Sequence, residues 1–287
     1  MARIVILEHL LQRSVKLPYL VYALAQRWRA WGHRVLVHHG AEGAPEGDLA
    51  IMNVDLTRLP DSYRALAARY PRLVNGAVHD VSKNRFSQDL LAPDSDWPGP
   101  VIVKTERNYG GRPERLMRAV AARAGVSCDI PEGPLLEGYP VFDSLRAVPE
   151  AIWREPGLVV ERFLPEADSR GYYLRVWIFL GARESSGRWR ASAPIIKGEQ
   201  LLEREDVPVP DELRRWREAL GFDYGKFDYV RHDGRFVLLD ANRTPSFTPA
   251  VGALSACLSR AYAGSSHPVK SKRGAAASRS SASVGKA

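Results

Sequence analysis

The stretch FVLLDANRTPSF, from Phe236 to Phe247, begins as a core strand and then turns polar. The four apolar residues FVLL lead directly into Asp240, Ala241 and Asn242. Side chains alternate across a strand, so Asp240 and Asn242 point to the same face. Because an unpaired buried carboxylate is costly, we expect a partner for these groups opposite that face.

A second carboxylate comes from the preceding strand, GKFDYV, which residues 232–234 separate from RFVLLDAN. A three-residue hairpin loop ending in a left-handed glycine places Asp228 opposite Leu238. In this register Asp228 shares the face of Asp240 and Asn242, close enough to bind one ligand with them. A two-residue Asp-Gly turn would instead place Asp228 on the other face.

Two carboxylates and one amide oxygen on a single sheet face form a hard-oxygen site, which is typical of Mg²⁺ completed by water and phosphate. The alternative for any one of these residues is a simple ion pair with a neighbouring Arg or Lys. The three residues together favour the metal. We therefore predict that Asp228, Asp240 and Asn242 are metal ligands.

Residues suited to phosphate binding lie upstream of this site. Lys104 ends the strand PVIVKT, and Gly110 and Gly111 lie in the loop TERNYGG, whose backbone amides could approach phosphates. Lys83, in DVSKNRF, offers a second cation. Neither GxxxxGK[ST] nor GxGxxG occurs in the chain, so the two commonest phosphate loops are excluded.

The hydrophobic pattern predicts an α/β protein with two units. Residues 1–92 alternate short apolar strands with amphipathic helices, which indicates a small doubly wound domain. The proline-rich stretch APDSDWPGP then marks a boundary. Residues 93–262 contain long, closely spaced strands, which favour an α+β unit with mostly antiparallel sheets.

The net charge of +8 is concentrated at the carboxyl end. Residues 263–287 are rich in Ser, Ala and Gly, contain no acidic residue, and carry Lys270, Lys272, Arg273, Arg279 and Lys286. Such a segment cannot bury enough apolar surface to fold, so we predict a disordered basic tail. We consider nucleic-acid binding through this tail the weaker alternative function.

Composition also indicates the compartment. The two cysteines, Cys128 and Cys257, lie far apart without a CxxC pattern, which argues against a disulfide framework and against a cysteine zinc site. The N-terminal apolar run is too short for a secretory signal, and no stretch reaches the roughly 18 apolar residues of a membrane span. We expect a cytoplasmic protein without a membrane partner.

In chain order, Lys83, the strand PVIVK, the Gly-bearing loop, VVERFL, YYLRVW and KFDYV…FVLLDANRTP resemble the ATP-grasp superfamily over about residues 1–255. Asp228 followed by Asp240-x-Asn242 is similar to the family's magnesium-binding acid and its E-x-N pair, with aspartate in place of glutamate. In outline the chain resembles the glutathione synthetase-like and ribosomal-protein-modifying glutamate ligases. The resemblance implies a pre-ATP-grasp domain followed by a two-lobed ATP-grasp domain.

The resemblance also implies nucleotide-binding roles. Lys83 and Lys104 match the lysines that contact the phosphates from the two sides of the cleft. The hinge strand, where adenine is usually bound, corresponds to Glu161, Arg162 and Phe163.

Further residues match positions at the ribose, the γ-phosphate and the substrate. Either Glu166 or Asp168 would bind the ribose hydroxyls. Arg175 matches the arginine that faces the γ-phosphate, and Lys197 matches a basic residue for phosphate or substrate. Because Arg243 directly follows Asn242 and can form two parallel hydrogen bonds, we predict that it clamps the carboxylate of the acceptor.

The implied activity is ATP-dependent ligation of a carboxylate to an amine or thiol, through an acyl phosphate, with release of ADP and phosphate. The cofactors would be ATP and Mg²⁺, with two ions expected and Mn²⁺ as an alternative metal. Substrates would be small-molecule or peptide carboxylates and amines, and the protein could be a homodimer. The main alternative is an ATP-binding regulatory module without turnover.

Overall fold

The structure is a computed structural model that describes residues 1–15, 17–196 and 201–246. Lys197, predicted to contact phosphate or substrate, lies outside the described residues, as does the basic tail. Among the described helices, none is both long enough and apolar enough to cross a membrane.

The first unit is built on a parallel sheet in the order β2-β1-β3-β4. Its elements are β1 (Arg3–Glu8), α1 (Leu20–Ala30), β2 (Arg34–His39), β3 (Leu49–Met52), α2 (Asp61–Leu66) and β4 (Leu73–Val74). Strand β1 is central, and its residues from Ile4 onward are buried. The predicted doubly wound sheet is therefore confirmed.

Two antiparallel sheets follow, which confirms the predicted α+β character of the second part. The smaller sheet has the order β5-β8-β6-β7. This part of the chain contains, in order, α3 (Lys83–Phe86), β5 (Leu90–Leu91), β6 (Val101–Thr105), α4 (Arg112–Ala124), β7 (Val141–Phe142), α5 (Glu150–Arg154) and β8 (Leu158–Arg162). The chain thus enters this sheet at Leu90, slightly before the predicted boundary at residue 93.

The larger sheet has the order β12-β11-β10-β13-β14, with β9 paired to β10. This part of the chain contains, in order, β9 (Glu166–Asp168), β10 (Gly171–Leu180), β11 (Arg183–Ala191), β12 (Leu201–Asp206), α6 (Asp211–Leu220), β13 (Tyr224–His232) and β14 (Arg235–Asn242).

The two faces of the larger sheet have different environments. One face, called here the helix face, carries Trp177, Phe179 and Phe227, which pack with Leu213 of α6. The opposite face, called here the cleft face, includes Ile178 and Leu180 in β10 and Tyr224, Lys226 and Asp228 in β13. On this face, Ile178 and Leu180 at the end of β10 and Tyr224 at the start of β13 pack against α1 of the first unit.

The hairpin between β13 and β14 differs from its prediction. Asp233 and Gly234 form a two-residue turn with φ of 48° and 81°, and His232 lies opposite Arg235. Both central residues have left-handed backbones, as a type I′ turn requires. The three-residue loop predicted from the sequence is therefore wrong.

A bulge in β14 nevertheless restores the predicted arrangement of the carboxylates. Tyr229 lies opposite Leu238, whereas Asp228 lies opposite Asp240, so Leu239 is the extra residue. One extra residue reverses the alternation of the strand beyond it. Asp228, Asp240 and Asn242 consequently share the cleft face, for a reason that the sequence analysis did not anticipate.

Buried polar contacts fasten the first unit to the larger sheet. Thr244 Oγ1 donates to Asp55 Oδ1 at 2.5 Å, and Tyr19 donates its hydroxyl to Asp55 Oδ2 at 2.7 Å. Asn75, fully buried, accepts the backbone N–H groups of Asp223 and Tyr224 and donates to the carbonyl of Tyr224. The start of β13 and the segment after β14 are thereby held against the first unit.

Asp55 should make the stability of this junction depend on pH. Burial raises the pKa of Asp55 to about 6, although the hydrogen bonds from Thr244 and Tyr19 oppose the shift. Because this pKa is higher in the folded than in the unfolded chain, the contribution of Asp55 to stability is lost as pH rises through about 6.

We expect the stability of Asp55→Asn relative to wild type to increase from pH 4 to pH 7, by about 1–3 kcal/mol in the free energy of unfolding. The difference in melting temperature between the two proteins should increase accordingly. Thermal unfolding followed by circular dichroism at several pH values measures this difference. The exposed Asp61→Asn is the control. A difference that does not change with pH would contradict the assignment to Asp55.

Candidate functional site

The smaller sheet faces the cleft with a buried ion pair. Lys104 on β6 lies 2.6 Å, Nζ to Oε2, from Glu161 on β8, and both side chains are buried. Burial raises the pKa of Glu161, but Lys104 and Lys83 outweigh it, so the pKa lies below its ordinary value. Glu161 is therefore ionised at neutral pH, and its Oε1 is buried without a hydrogen-bond partner.

Lys83 connects the two sheets from the first turn of α3. Its Nζ lies 3.4 Å from Asp240 Oδ1, and its side chain is only 7% exposed. Burial lowers the pKa of Lys83, but Asp240 and Glu161 outweigh this effect and the pKa lies above its ordinary value. A permanently charged ammonium group thus lies between the smaller sheet and the carboxylates of β13 and β14.

The cleft face of the larger sheet carries a compact charged group. Asp228 lies directly opposite Asp240, and Lys226 lies directly opposite Asn242. Lys226 Nζ contacts Asp228 Oδ2 at 2.8 Å. Burial and the nearby Asp240 raise the pKa of Asp228, and Lys226 opposes the shift. The sequence analysis missed Lys226, although its position two residues before Asp228 places it on the same face.

The carboxylates fit a divalent cation. Asp228 Oδ1 is buried and has no hydrogen-bond partner, and Asp240 is its direct neighbour across the ladder. Asn242 Oδ1 accepts the N–H of Thr244 at 2.8 Å, so part of its capacity is used within the chain. The described residues contain no group of three His, Cys, Asp or Glu side chains placed to hold a metal. Magnesium with few protein ligands is typical where substrate phosphates complete the coordination.

The glycine-bearing loop lies near this charged group. Tyr109, Gly110 and Gly111 have φ values of 49°, 63° and 69°, a left-handed run that favours glycine. Burial lowers the pKa of Lys226, whereas Asp228, Asp240 and Tyr109 raise it. Tyr109 is therefore close to Lys226. The loop containing Gly110 and Gly111 therefore lies where it could cover phosphates.

The hinge strand keeps its backbone amides within the protein. The N–H of Arg162 donates to the carbonyl of Asp89, and the N–H of Phe163 donates to Pro100, both at 2.9 Å. The guanidinium of Arg162 lies over the ring of Trp97 at 4.9 Å. These two N–H groups are therefore engaged within the protein, and adenine binding by other groups of Glu161, Arg162 and Phe163 stays a prediction.

Arg175 and the two ribose candidates lie on the helix face rather than in the cleft. Arg175 is opposite Tyr229, one residue out of phase with Asp228. Its guanidinium makes two hydrogen bonds of 2.8 Å to Glu166. Asp168 accepts the hydroxyl of Tyr173, which is on the same face. The sheet therefore separates these side chains from the carboxylate pair, and the structure does not bring them to the γ-phosphate and ribose positions that the resemblance implied.

Arg243 is a structural residue of the junction. Its side chain is 1% exposed, and its guanidinium donates to the backbone carbonyls of Val54, Leu56 and Val78. Burial lowers the pKa of Arg243 to about 10, which still leaves it charged at neutral pH. The guanidinium is enclosed by the first unit, so the structure does not place it where the predicted clamp on an acceptor carboxylate would need it.

We expect Arg243→Lys to destabilise the fold, because one ammonium group cannot replace a planar fork that binds three separate carbonyls. The loss should be about 2–4 kcal/mol in the free energy of unfolding, measured by urea denaturation. Arg64→Lys, at an exposed pair with Asp61, is the control. Wild-type stability in Arg243→Lys would show that the buried contacts are dispensable.

Solved structures with this architecture match nearly the whole chain. A RimK domain ATP-grasp protein from Sphaerobacter thermophilus is 14% identical, with a TM-score of 0.52 and coverage of 92% of this chain and 100% of its own. This chain has the ATP-grasp fold. No family model matches the sequence, and no curated protein is significantly similar to it.

Two further ATP-grasp structures contain nucleotides. A RiPP-associated ATP-grasp ligase from Chryseobacterium gregarium, in complex with ADP and a leader and core peptide, is 9% identical, with a TM-score of 0.52 and coverage of 90% and 96%. A D-alanine–D-alanine ligase from Bacillus anthracis, complexed with ATP, is 12% identical, with a TM-score of 0.50 and coverage of 91% and 94%. At such identities the likeness establishes the fold, which confirms the resemblance seen in the sequence.

Proposed function

We propose that this ATP-grasp protein is an ATP-dependent ligase that joins a carboxylate to an amine or a thiol through an acyl phosphate. The observation that carries the proposal is the carboxylate pair Asp228–Asp240, with one buried free oxygen, beside Lys83, which contacts Asp240 and lies near Glu161, the partner of Lys104. This arrangement supplies cations for phosphates on one side and ligands for Mg²⁺ on the other.

The charge balance of the cleft supports a metal-bound nucleotide. Three ammonium groups, of Lys83, Lys104 and Lys226, are balanced by three carboxylates, of Glu161, Asp228 and Asp240. Two divalent ions would offset the negative charge of a triphosphate and keep the buried group close to neutral. Burial of an uncompensated charge would be costly, so ATP with two Mg²⁺, or with Mn²⁺ in their place, is the ligand that we propose.

The reaction requires positioning and charge neutralisation more than covalent chemistry. A substrate carboxylate would attack the γ-phosphorus, ADP would leave, and an amine or thiol would attack the acyl phosphate with release of inorganic phosphate. Bound Mg²⁺ would neutralise phosphate charge. The lysines of the chain would hold the phosphates. The loop at Tyr109 and Gly110 would cover them and limit the access of water.

The identity of the acceptor is the least constrained part of the proposal. The Chryseobacterium gregarium ligase of the same fold holds a leader and core peptide. A peptide carboxylate is therefore a candidate substrate here, beside small-molecule carboxylates. The alternative, an ATP-binding module without turnover, is favoured by one observation: Arg175, expected at the γ-phosphate, lies on the helix face.

We expect millimolar Mg²⁺-ATP to raise the melting temperature by roughly 5 °C, because a ligand that binds only the folded protein stabilises it. Differential scanning fluorimetry with and without Mg²⁺ measures the shift. ATP that stabilises equally well in the presence of a chelator would contradict the metal site.

We expect Asp240→Asn to fold normally and to lose turnover by about 100-fold or more, because a metal ligand loses its charge. The assay is ADP release with a panel of carboxylates and amines, with mass spectrometry to detect a condensation product. Asp94→Asn, at an exposed position, is the control. Binding of ATP without release of ADP with any carboxylate and amine would favour the module over the ligase, and formation of AMP would exclude the acyl-phosphate route.

A further inference from the structure

Lys226 is a cation of the cleft for which the family resemblance implied no role. We propose that Lys226 binds the terminal phosphate of ATP, and that a divalent cation releases it for this purpose by displacing it from Asp228. The inference rests on the proposed function, and it assigns to Lys226 the position expected of Arg175.

The position of Lys226 along β13 places it at the phosphate end of the cleft. On the cleft face, Val230 packs against Leu164, the residue after the hinge strand. Asp228 comes next, then Lys226, and finally Tyr224, which packs in the core of the first unit. With a rise of about 3.3 Å per residue, Lys226 lies about 7 Å beyond Asp228 on the side away from the hinge. A base at the hinge would direct the terminal phosphate toward Lys226.

The contacts of Lys226 define what a metal ion would displace. Its Nζ bonds to Asp228 Oδ2 at 2.8 Å, and Lys83 Nζ holds Asp240 Oδ1 at 3.4 Å. Asp228 and Asp240 would hold a divalent cation, which would compete with both ammonium groups for carboxylate oxygens. The released ammonium group of Lys226 then needs new acceptors, which the phosphate oxygens beside the metal provide.

The arginine expected at the γ-phosphate cannot take this role. Arg175 is bonded twice to Glu166 on the helix face. Lys226, in contrast, is directly opposite Asn242 and shares its face. A purely structural role, neutralising buried Asp228, predicts a different result: removal of Lys226 would then weaken every nucleotide equally or none at all.

The first experiment compares two nucleotides by isothermal titration calorimetry. Lys226→Met should weaken binding of the Mg²⁺ complex of the non-hydrolysable β,γ-imido analogue of ATP by about 10-fold or more, since a charge-assisted hydrogen bond is lost. Binding of Mg²⁺-ADP, which lacks the terminal phosphate, should change by less than about 3-fold. Arg231→Met is the matched control, because it removes an exposed charge from the same strand on the helix face.

Lys226→Gln serves as a second variant, because it keeps a donor for Asp228 if Lys226→Met proves unstable. An equal loss of affinity for both nucleotides, or no loss for either, would overturn the proposal for Lys226 while leaving the ligase proposal intact. Failure of the wild-type protein to bind either nucleotide would instead refute the proposed function, and this inference with it.

The second experiment tests the displacement step without nucleotide. Electron paramagnetic resonance titration with Mn²⁺ alone should show tighter binding to Lys226→Met than to wild type, by about 3-fold or more, because the competing ammonium group is gone. Arg231→Met should bind Mn²⁺ as wild type does. Unchanged or weaker binding in Lys226→Met would refute the displacement.

Discussion

The pairing of Asp228 with Asp240 across adjacent strands is the constraint on which the rest of the cleft depends. Like charges directly opposite each other destabilise an antiparallel pair, and burial increases the cost. Cations must therefore converge on this point from other parts of the chain. Lys226 comes from the same strand and Lys83 from the start of α3, so the carboxylate pair fixes where the smaller sheet and the first unit can approach.

The first unit contributes rigidity to this arrangement through buried polar groups. Arg243 donates hydrogen bonds to three carbonyls of the first unit, and Asp55 accepts hydrogen bonds from Tyr19 and Thr244. The segment that follows Asn242 therefore cannot move independently of the parallel sheet. A site that must place phosphate and acceptor within a short distance benefits from such preorganisation.

The fold and the carboxylate site were predictable because their signals are local. Hydrophobic period distinguishes the parallel unit from the antiparallel one, and Asp240-x-Asn242 lies within a single strand. The orientation of Asp228 was predicted correctly from a wrong loop, since the turn has two residues and a bulge at Leu239 compensates. Asp-Gly is the usual signal of a two-residue turn, but nothing in the sequence marks the bulge at Leu239.

The site predictions that the structure does not support concern properties that depend on distant parts of the chain. The residues next to Arg243 in the sequence do not show whether its side chain is exposed or buried. Its hydrogen-bond partners, the carbonyls of Val54 and Val78, are remote in sequence. For Arg175, the sequence gives no phase relative to β13, so the face that it occupies depends on strand register. Lys226 was overlooked because a lone lysine in a strand is unremarkable until its neighbours across the sheet are known.

The bulge at Leu239 has a consequence for how this sequence can diverge. Because one extra residue sets the phase of Asp240 and Asn242, losing a single codon there would turn both side chains toward α6 without altering any residue of the site. A change of chain length at this point would therefore disrupt the site as much as a substitution of one of its carboxylates. Comparisons of related chains should weigh gaps at this position as heavily as substitutions.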